Sequence, residues 1–199
     1  MMVATAAPTT LMTAEEFYVW AELPENEDKL FELENGVPVE MPNANNLHGT
    51  ICFLVAHLLG LHLLARGGYV MTNDTGLVIR RRPDTVRGPD VMAFLTRPRF
   101  EDLKRGPVED VPALVAEVLS PSDRPGKTHR RVQGYLRRGI PMVWVIDPQD
   151  RTVAVHTATE FHVLEESEEL TGNGVLPDFR CPVAAFFNWP GEAPASATA

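Results

Sequence analysis

Cysteine is nearly absent: Cys52 and Cys181 are the two in 199 residues. That is too few for a disulfide framework, and they show no metal-ligand spacing, so neither a small secreted scaffold nor a zinc module is expected. A reducing cytoplasm is the default location, and a single bridge between the two stays open. The first ten residues, MMVATAAPTT, hold no Lys or Arg, which argues against a secretory signal. Long apolar runs are missing too. The longest, Ile51 to Leu64, is 14 residues interrupted by His57 and His62, short of the ~20 that a membrane span needs. No internal repeat or linker-like composition breaks the chain, so one domain over 11–190 is expected, with a flexible N-terminus over 1–10 and a disordered small-residue tail over 191–199.

Positive charge is scarce as well. Eighteen Lys and Arg against 27 Asp and Glu leave a net charge of −9, which opposes sequence-independent nucleic-acid binding unless the cations are concentrated. They are concentrated in sequence: Arg80 to Arg138 holds 14 of the 18 cations with 8 of the 27 acids, a local +6 against −15 elsewhere. A solvated helix or loop face would account for the same clustering.

What is present centres on Pro112 to Pro148. Ala113 to Leu119 is an apolar run with one interruption, Glu117, and suits a strand buried on both faces. Ser120 to Gly126 reads as a break. Thr128 to Arg138 carries Val132, Tyr135 and Leu136 at helical spacing and stops at Gly139. Met142 to Ile146 is a second buried strand ending at Asp147-Pro148. Two such strands joined through a helix predict a parallel crossover, the middle of an α/β core.

Around this unit, Thr13 and Glu16 form a capping-box pattern that predicts a helix over Leu11 to Leu23. Lys29 to Leu33 and Val37 to Met41 alternate about Asn35-Gly36 and predict a hairpin, with Pro38 placing the second strand at an edge or a bulge. His48 to Ala65 is predicted as the longest helix. Strands are expected over Tyr69 to Thr72, Gly76 to Arg80 and Val91 to Leu95, with Arg80 to Asp84 a loop and Arg97 to Asp110 a polar connection holding a helical turn. A hairpin over Thr152 to Thr157 and Glu160 to Leu164 follows, and Leu176 to Arg180 and Val183 to Phe187 finish the chain. His57, His62, Tyr135 and Trp144 are expected as core or dimer-packing residues.

The carboxylates carry the chemistry. Asp90 begins one apolar strand and Glu117 is embedded in another. Two acids brought together on neighbouring strands repel unless a cation holds them. A hard divalent ion, Mg²⁺ or Mn²⁺, is the natural partner. The bland alternatives are a turn or cap role for Asp90 and a buried ion pair with an arginine for Glu117.

Phe31-Glu32-Leu33 with Gly36, Met41-Pro42, His48, Pro89-Asp90-Val91, Glu117-Val118-Leu119-Ser120-Pro121-Ser122, Tyr135, Gly139, Trp144 and Asp147-Pro148 together resemble a bacterial restriction endonuclease domain family of the PD-(D/E)XK nuclease superfamily. The resemblance runs from Met12 to Phe187. It implies an α/β restriction-endonuclease-like core, a mixed central β-sheet flanked by helices with an N-terminal β-hairpin. It further implies Mg²⁺-dependent hydrolysis of DNA phosphodiesters and a homodimer.

Residue by residue, the resemblance makes Asp90 and Glu117 the metal ligands and Glu32 the acid of the N-terminal element. His48, which begins the long helix, and Arg124 are candidates for the substrate, and a capping or core role for His48 stays equally open. The superfamily lysine fails to appear two residues after Glu117, where Leu119 stands. In the resembled family it sits on the following helix, four residues before the tyrosine matching Tyr135, and that position is Arg131. Lys127 lies one turn earlier on the same helix face, so either residue is a candidate for the catalytic base position. A guanidinium neutralises a phosphate but hardly accepts a proton. Two readings therefore stand: a metal-dependent nuclease, and a dimeric nucleic-acid-binding or interaction protein that keeps the fold without catalysis.

Overall fold

The computed structural model describes residues 11–121 and 123–191. The expected flexible N-terminus, the tail beyond Gly191 and Ser122 lie outside the described residues.

A capping box opens α1 (Ala14–Ala21): the Thr13 hydroxyl accepts the Glu16 N–H at 3.2 Å and the Glu16 carboxylate accepts the Thr13 N–H at 2.8 Å. Strands β1 (Leu30–Glu34) and β2 (Val37–Met41) form the expected hairpin, with Asn35 and Gly36 at φ of 53° and 81°, the left-handed pair that a two-residue turn between twisted strands requires. Helix α2 (Asn46–Leu64) starts before the expected His48 because the Asn45 side chain caps it, accepting the His48 N–H at 2.9 Å. Next come β3 (Tyr69–Met71), β4 (Leu77–Arg80), β5 (Thr85–Arg87) and β6 (Val91–Phe94).

Strand β5 went unpredicted. Its three residues are too few for an alternation to register, yet they pair antiparallel with both β4 and β1. The polar connection after β6 holds a single 3₁₀ turn at Phe100–Asp102, as expected. Then β7 (Leu114–Val118), α3 (Pro125–Arg138) and β8 (Met142–Asp147) make the predicted strand, helix and parallel strand. Helix α3 starts at Pro125 rather than Thr128: proline loses nothing at the first helical position, where an N–H would have no helical partner. Gly139, at φ 95°, ends it. Strands β9 (Thr152–His156) and β10 (Phe161–Leu164) form the expected hairpin. Strands β11 (Glu169–Thr171) and β12 (Arg180–Pro182) pair in a small ladder, of which β11 went unpredicted. Val183–Phe186 is a 3₁₀ turn that buries Val183 and Phe186, three residues apart.

The chain forms two compact units. The first comprises residues up to Asn43 with Thr75–Gly88 and Lys104–Glu109. Its four-stranded sheet has the order β2-β1-β5-β4, so Pro38 lies on an edge strand, and α1 buries Ala14 and Phe17 with Leu33, Val78 and Val86.

The second unit, Ala44–Asp74, Pro89–Leu103 and Asp110 onward, holds a six-stranded mixed sheet of order β10-β9-β8-β7-β6-β3. Only the β7–β8 pairing is parallel. Leu114, Ala116 and Val118 of β7 share one hydrophobic core with Trp144, Phe179, Phe186 and the inner face of α2. Over 18 residues α2 has a mean hydropathy of 1.7, enough by length and composition alone to cross a membrane, which its interrupted apolar run did not signal. Ile51, Val55, Leu59 and Leu63 are nevertheless buried in this core, the pattern of a core helix. Cys52 and Cys181 are both free thiols.

Candidate metal centre and active site

The register of β6 against β7 pairs Val91 with Ala116 and Met92 with Val115. Asp90 stands just before β6 and Glu117 just after Ala116, at the same end of this ladder. Asp90 is held there by the Val118 N–H, which donates to Oδ2 at 2.6 Å. Glu117 alternates away from the core residues Ala116 and Val118 and meets α3. There the buried Tyr135 hydroxyl donates to Glu117 Oε1, and Arg131 Nη1 approaches the two carboxylate oxygens at 3.4 and 3.5 Å. Helical spacing explains the pair: Arg131 and Tyr135 are four residues apart, on one face.

The other carboxylate is neutralised from α2. His48 Nε2 lies 3.3 Å from Asp90 Oδ1, and its Nδ1 lies 3.5 Å from the Cys52 sulfur one helical turn on. The hydrogen bond to Asp90, helped by Cys52, outweighs burial and pushes the His48 pKa up to about 11, so the imidazole is a cation at neutral pH. Burial pushes the Cys52 thiol up, leaving it protonated. Each carboxylate thus faces one cation, His48 for Asp90 and Arg131 for Glu117.

Of the residues expected at the site, His48 lies against Asp90 and Arg131 against Glu117. Lys127 and Arg124 are exposed at the start of α3, where the Arg124 carbonyl accepts the Lys127 and Thr128 N–H groups at 2.8 and 3.1 Å. Glu32 belongs to the first unit. It is buried there, and its carboxylate accepts from Arg87 at 2.7 Å and from the Gly88 N–H at 3.0 Å. Two site residues were missed. Tyr135 was read as packing alone; it packs, and it also binds Glu117. Cys52 was read as lacking metal-ligand spacing, yet it stands one helical turn after His48, and that four-residue step was the signal for its contact with the imidazole.

The donor set suits a divalent cation. Asp90 and Glu117 offer hard carboxylate oxygens of the kind Mg²⁺ or Mn²⁺ takes. His48, Cys52 and Asp90 also offer one ligand atom each within 4.8 Å of one another, a softer set.

Comparison with known proteins bears on fold and family. No curated protein matches the chain. A solved structure from Anabaena variabilis, described as "a putative nuclease belonging to DUF820", matches with a TM-score of 0.70 at 23% identity, over 88% of this chain and 97% of that one. The fold is accordingly the expected restriction-endonuclease-like α/β core with its central mixed sheet flanked by helices. The sequence profile of Uma2, "Putative restriction endonuclease", matches residues 14–184. That span takes in both carboxylates, His48 and all of α3, and the chain belongs to the Uma2 family.

Proposed function

We propose that this chain is a cytoplasmic, Mg²⁺- or Mn²⁺-dependent endonuclease that hydrolyses DNA phosphodiesters, with Asp90 and Glu117 as the metal ligands. The observation that carries the reading is that Asp90, just before β6, accepts the N–H of Val118, the residue after Glu117, at 2.6 Å, so that both carboxylates lie at the same end of the β6–β7 pair. When bound, the ion supplies Lewis-acid stabilisation of the phosphoryl oxygens and a more acidic water. Arg131, partly buried against Glu117, adds fixed positive charge where negative charge develops. Tyr135 holds the Glu117 carboxylate in place. His48, carrying its proton, donates a hydrogen bond to Asp90 or to a phosphate oxygen. Arg124 and Lys127, exposed on the first turn of α3, contact the flanking backbone. Calorimetric titration with Mg²⁺ and Mn²⁺ and plasmid nicking at low salt test the reading; a wild type that binds neither ion at millimolar levels ends it.

The alternative, a binding protein that keeps the fold without turnover, is favoured by one observation: Arg131 stands where the family resemblance places a lysine. Since Arg131 and not Lys127 reaches Glu117, Arg131→Lys should raise the nicking rate on the order of 10- to 100-fold by restoring a compact amine that orients water. Lys127→Ala should lower DNA affinity and flatten its salt dependence by about one phosphate contact while leaving metal binding intact. A Lys127→Ala protein that binds metal but cannot nick would instead make Lys127 the catalytic amine.

A homodimer accompanies this reading. Phe53, Leu61 and Leu64 of α2 are exposed, and His57 stacks on Phe53 with ring centroids 5.8 Å apart, an apolar stripe at helical spacing that a second copy would cover. Light scattering at micromolar concentration should give twice the 22.0 kDa chain mass; a monomer there refutes the dimer.

A further inference from the structure

A cavity of about 720 Å³ opens beside His48, walled by the start of α2, the first turns of α3 and the ends of β8, β9 and β10. We propose that it receives an unpaired nucleobase of the strand being cut, so that single-stranded or locally unpaired DNA is the preferred substrate over intact duplex. The proposal rests on the nuclease reading above, whose site it adjoins.

Three observations carry it. The first is continuity: His48 lines this cavity and hydrogen-bonds Asp90 at 3.3 Å, so a single imidazole separates the space from the metal ligand. The second is surface chemistry. Leu119, Val132, Val145 and Ala154 supply apolar walls, and His156 and Phe161 bring two rings with centroids 4.8 Å apart. Phe161 is 64% exposed, an aromatic face left open at the rim, and stacking is how proteins hold bases of any sequence.

The third is charge. Among the described residues the lining contains no Lys or Arg, while Asp123 and Asp147 both contribute to it. Their carboxylates already accept the backbone N–H groups of Ser120 and Gln149, each at 2.8 Å. Away from His48 at its edge, the polar lining offers mainly acceptors, and a flat, uncharged heterocycle with amino groups is suited to it. The cations lie outside, with Arg124, Lys127 and Arg130 exposed on the first turns of α3, placed to follow the backbone on which the base is carried. The volume falls within the ~300–1,000 Å³ of ordinary small-molecule sites, room for a base with its sugar. A base stacked within B-form duplex cannot enter; it must be unpaired or turned out of the helix.

The test is metal-free binding of a short oligonucleotide carrying one 2-aminopurine, offered as a single strand and as a matched duplex. The single strand should bind at least about tenfold tighter, with a change in 2-aminopurine fluorescence. Phe161→Ala should weaken that binding by about 5- to 150-fold, the range for loss of one stacked base, without disturbing the fold, because the ring is mostly exposed. Ala154→Phe, which fills the cavity from within, should do the same; if that variant fails to fold, Phe161→Ala decides alone. Equal affinity for both forms, unchanged by Phe161→Ala, overturns the proposal. If wild type still nicks plasmid in Mn²⁺ under that outcome, the nuclease reading stands and only the base site falls. Base-dependent binding without nicking in either ion gives the opposite division.

Discussion

Glu117→Gln should abolish metal-dependent nicking, with a loss on the order of 10³-fold or more, while the protein still folds. Glutamine keeps the size of the side chain and one carbonyl oxygen for the Tyr135 hydroxyl. It removes the negative charge that Asp90 and Glu117 together present to a divalent ion. It also leaves Arg131, whose side chain is 13% exposed, facing an amide instead of a carboxylate, so a modest stability loss of about 1–3 kcal/mol accompanies the change. Calorimetry should show no Mg²⁺ binding, and thermal melts should lose their metal-dependent shift. Asp90→Asn should behave alike in metal binding, because it keeps an acceptor for the Val118 N–H and loses only charge. Retention of full nicking by either variant would remove the metal-ligand assignment from both carboxylates.

Asp84→Ala should be the most destabilising single change in the first unit, costing about 2–4 kcal/mol and lowering the melting midpoint by about 5–15 °C. Asp84 is 7% exposed and closes several bonds at once. Its Oδ2 accepts the Ala14 N–H, an orphan donor at the start of α1, at 2.9 Å. Its Oδ1 accepts the Arg82 N–H at 3.0 Å. The Arg81 guanidinium pairs with it at 2.7 Å while also reaching Glu15 and Glu109. Alanine leaves those N–H groups without an acceptor.

The same residue sets an acid limit. Burial alone would raise the Asp84 pKa, but the N–H groups of Ala14 and Arg82 and the Arg81 guanidinium overcome it and hold the carboxyl below its ordinary 3.8. A folded pKa below the unfolded one contributes stability that is present above pH 3.8 and lost as pH falls through the lowered folded value. Urea melts of wild type and Asp84→Asn should therefore differ most near neutrality and converge in acid. A difference that stays constant with pH would assign the stabilisation to shape and not to charge.

Much of this protein is legible along the chain because the signals are local. The capping box at Thr13, the Asn35-Gly36 turn, the helical spacing of Val132 and Tyr135 and the stop at Gly139 involve residues within a few positions of one another, and each produced the element expected. The two buried strands around α3 were visible for the same reason: apolar runs bounded by turn residues have few other homes. Sequence alone also marked Asp90 and Glu117, since a carboxylate in or beside a buried strand demands a partner. What only tertiary structure decided is which partner. The hold of the Val118 N–H on Asp90 depends on the register of β6 against β7, and a slip of one residue would turn each side chain to the other face. The choice of Arg131 over Lys127 depends on how α3 sits against β7, which places one helical turn against Glu117 and leaves the other in solvent. The three-residue β5, the cavity beside His48 and the pairing of His48 with Asp90 likewise exist only once distant segments pack, because the energy that selects them lies in contacts between residues far apart in sequence.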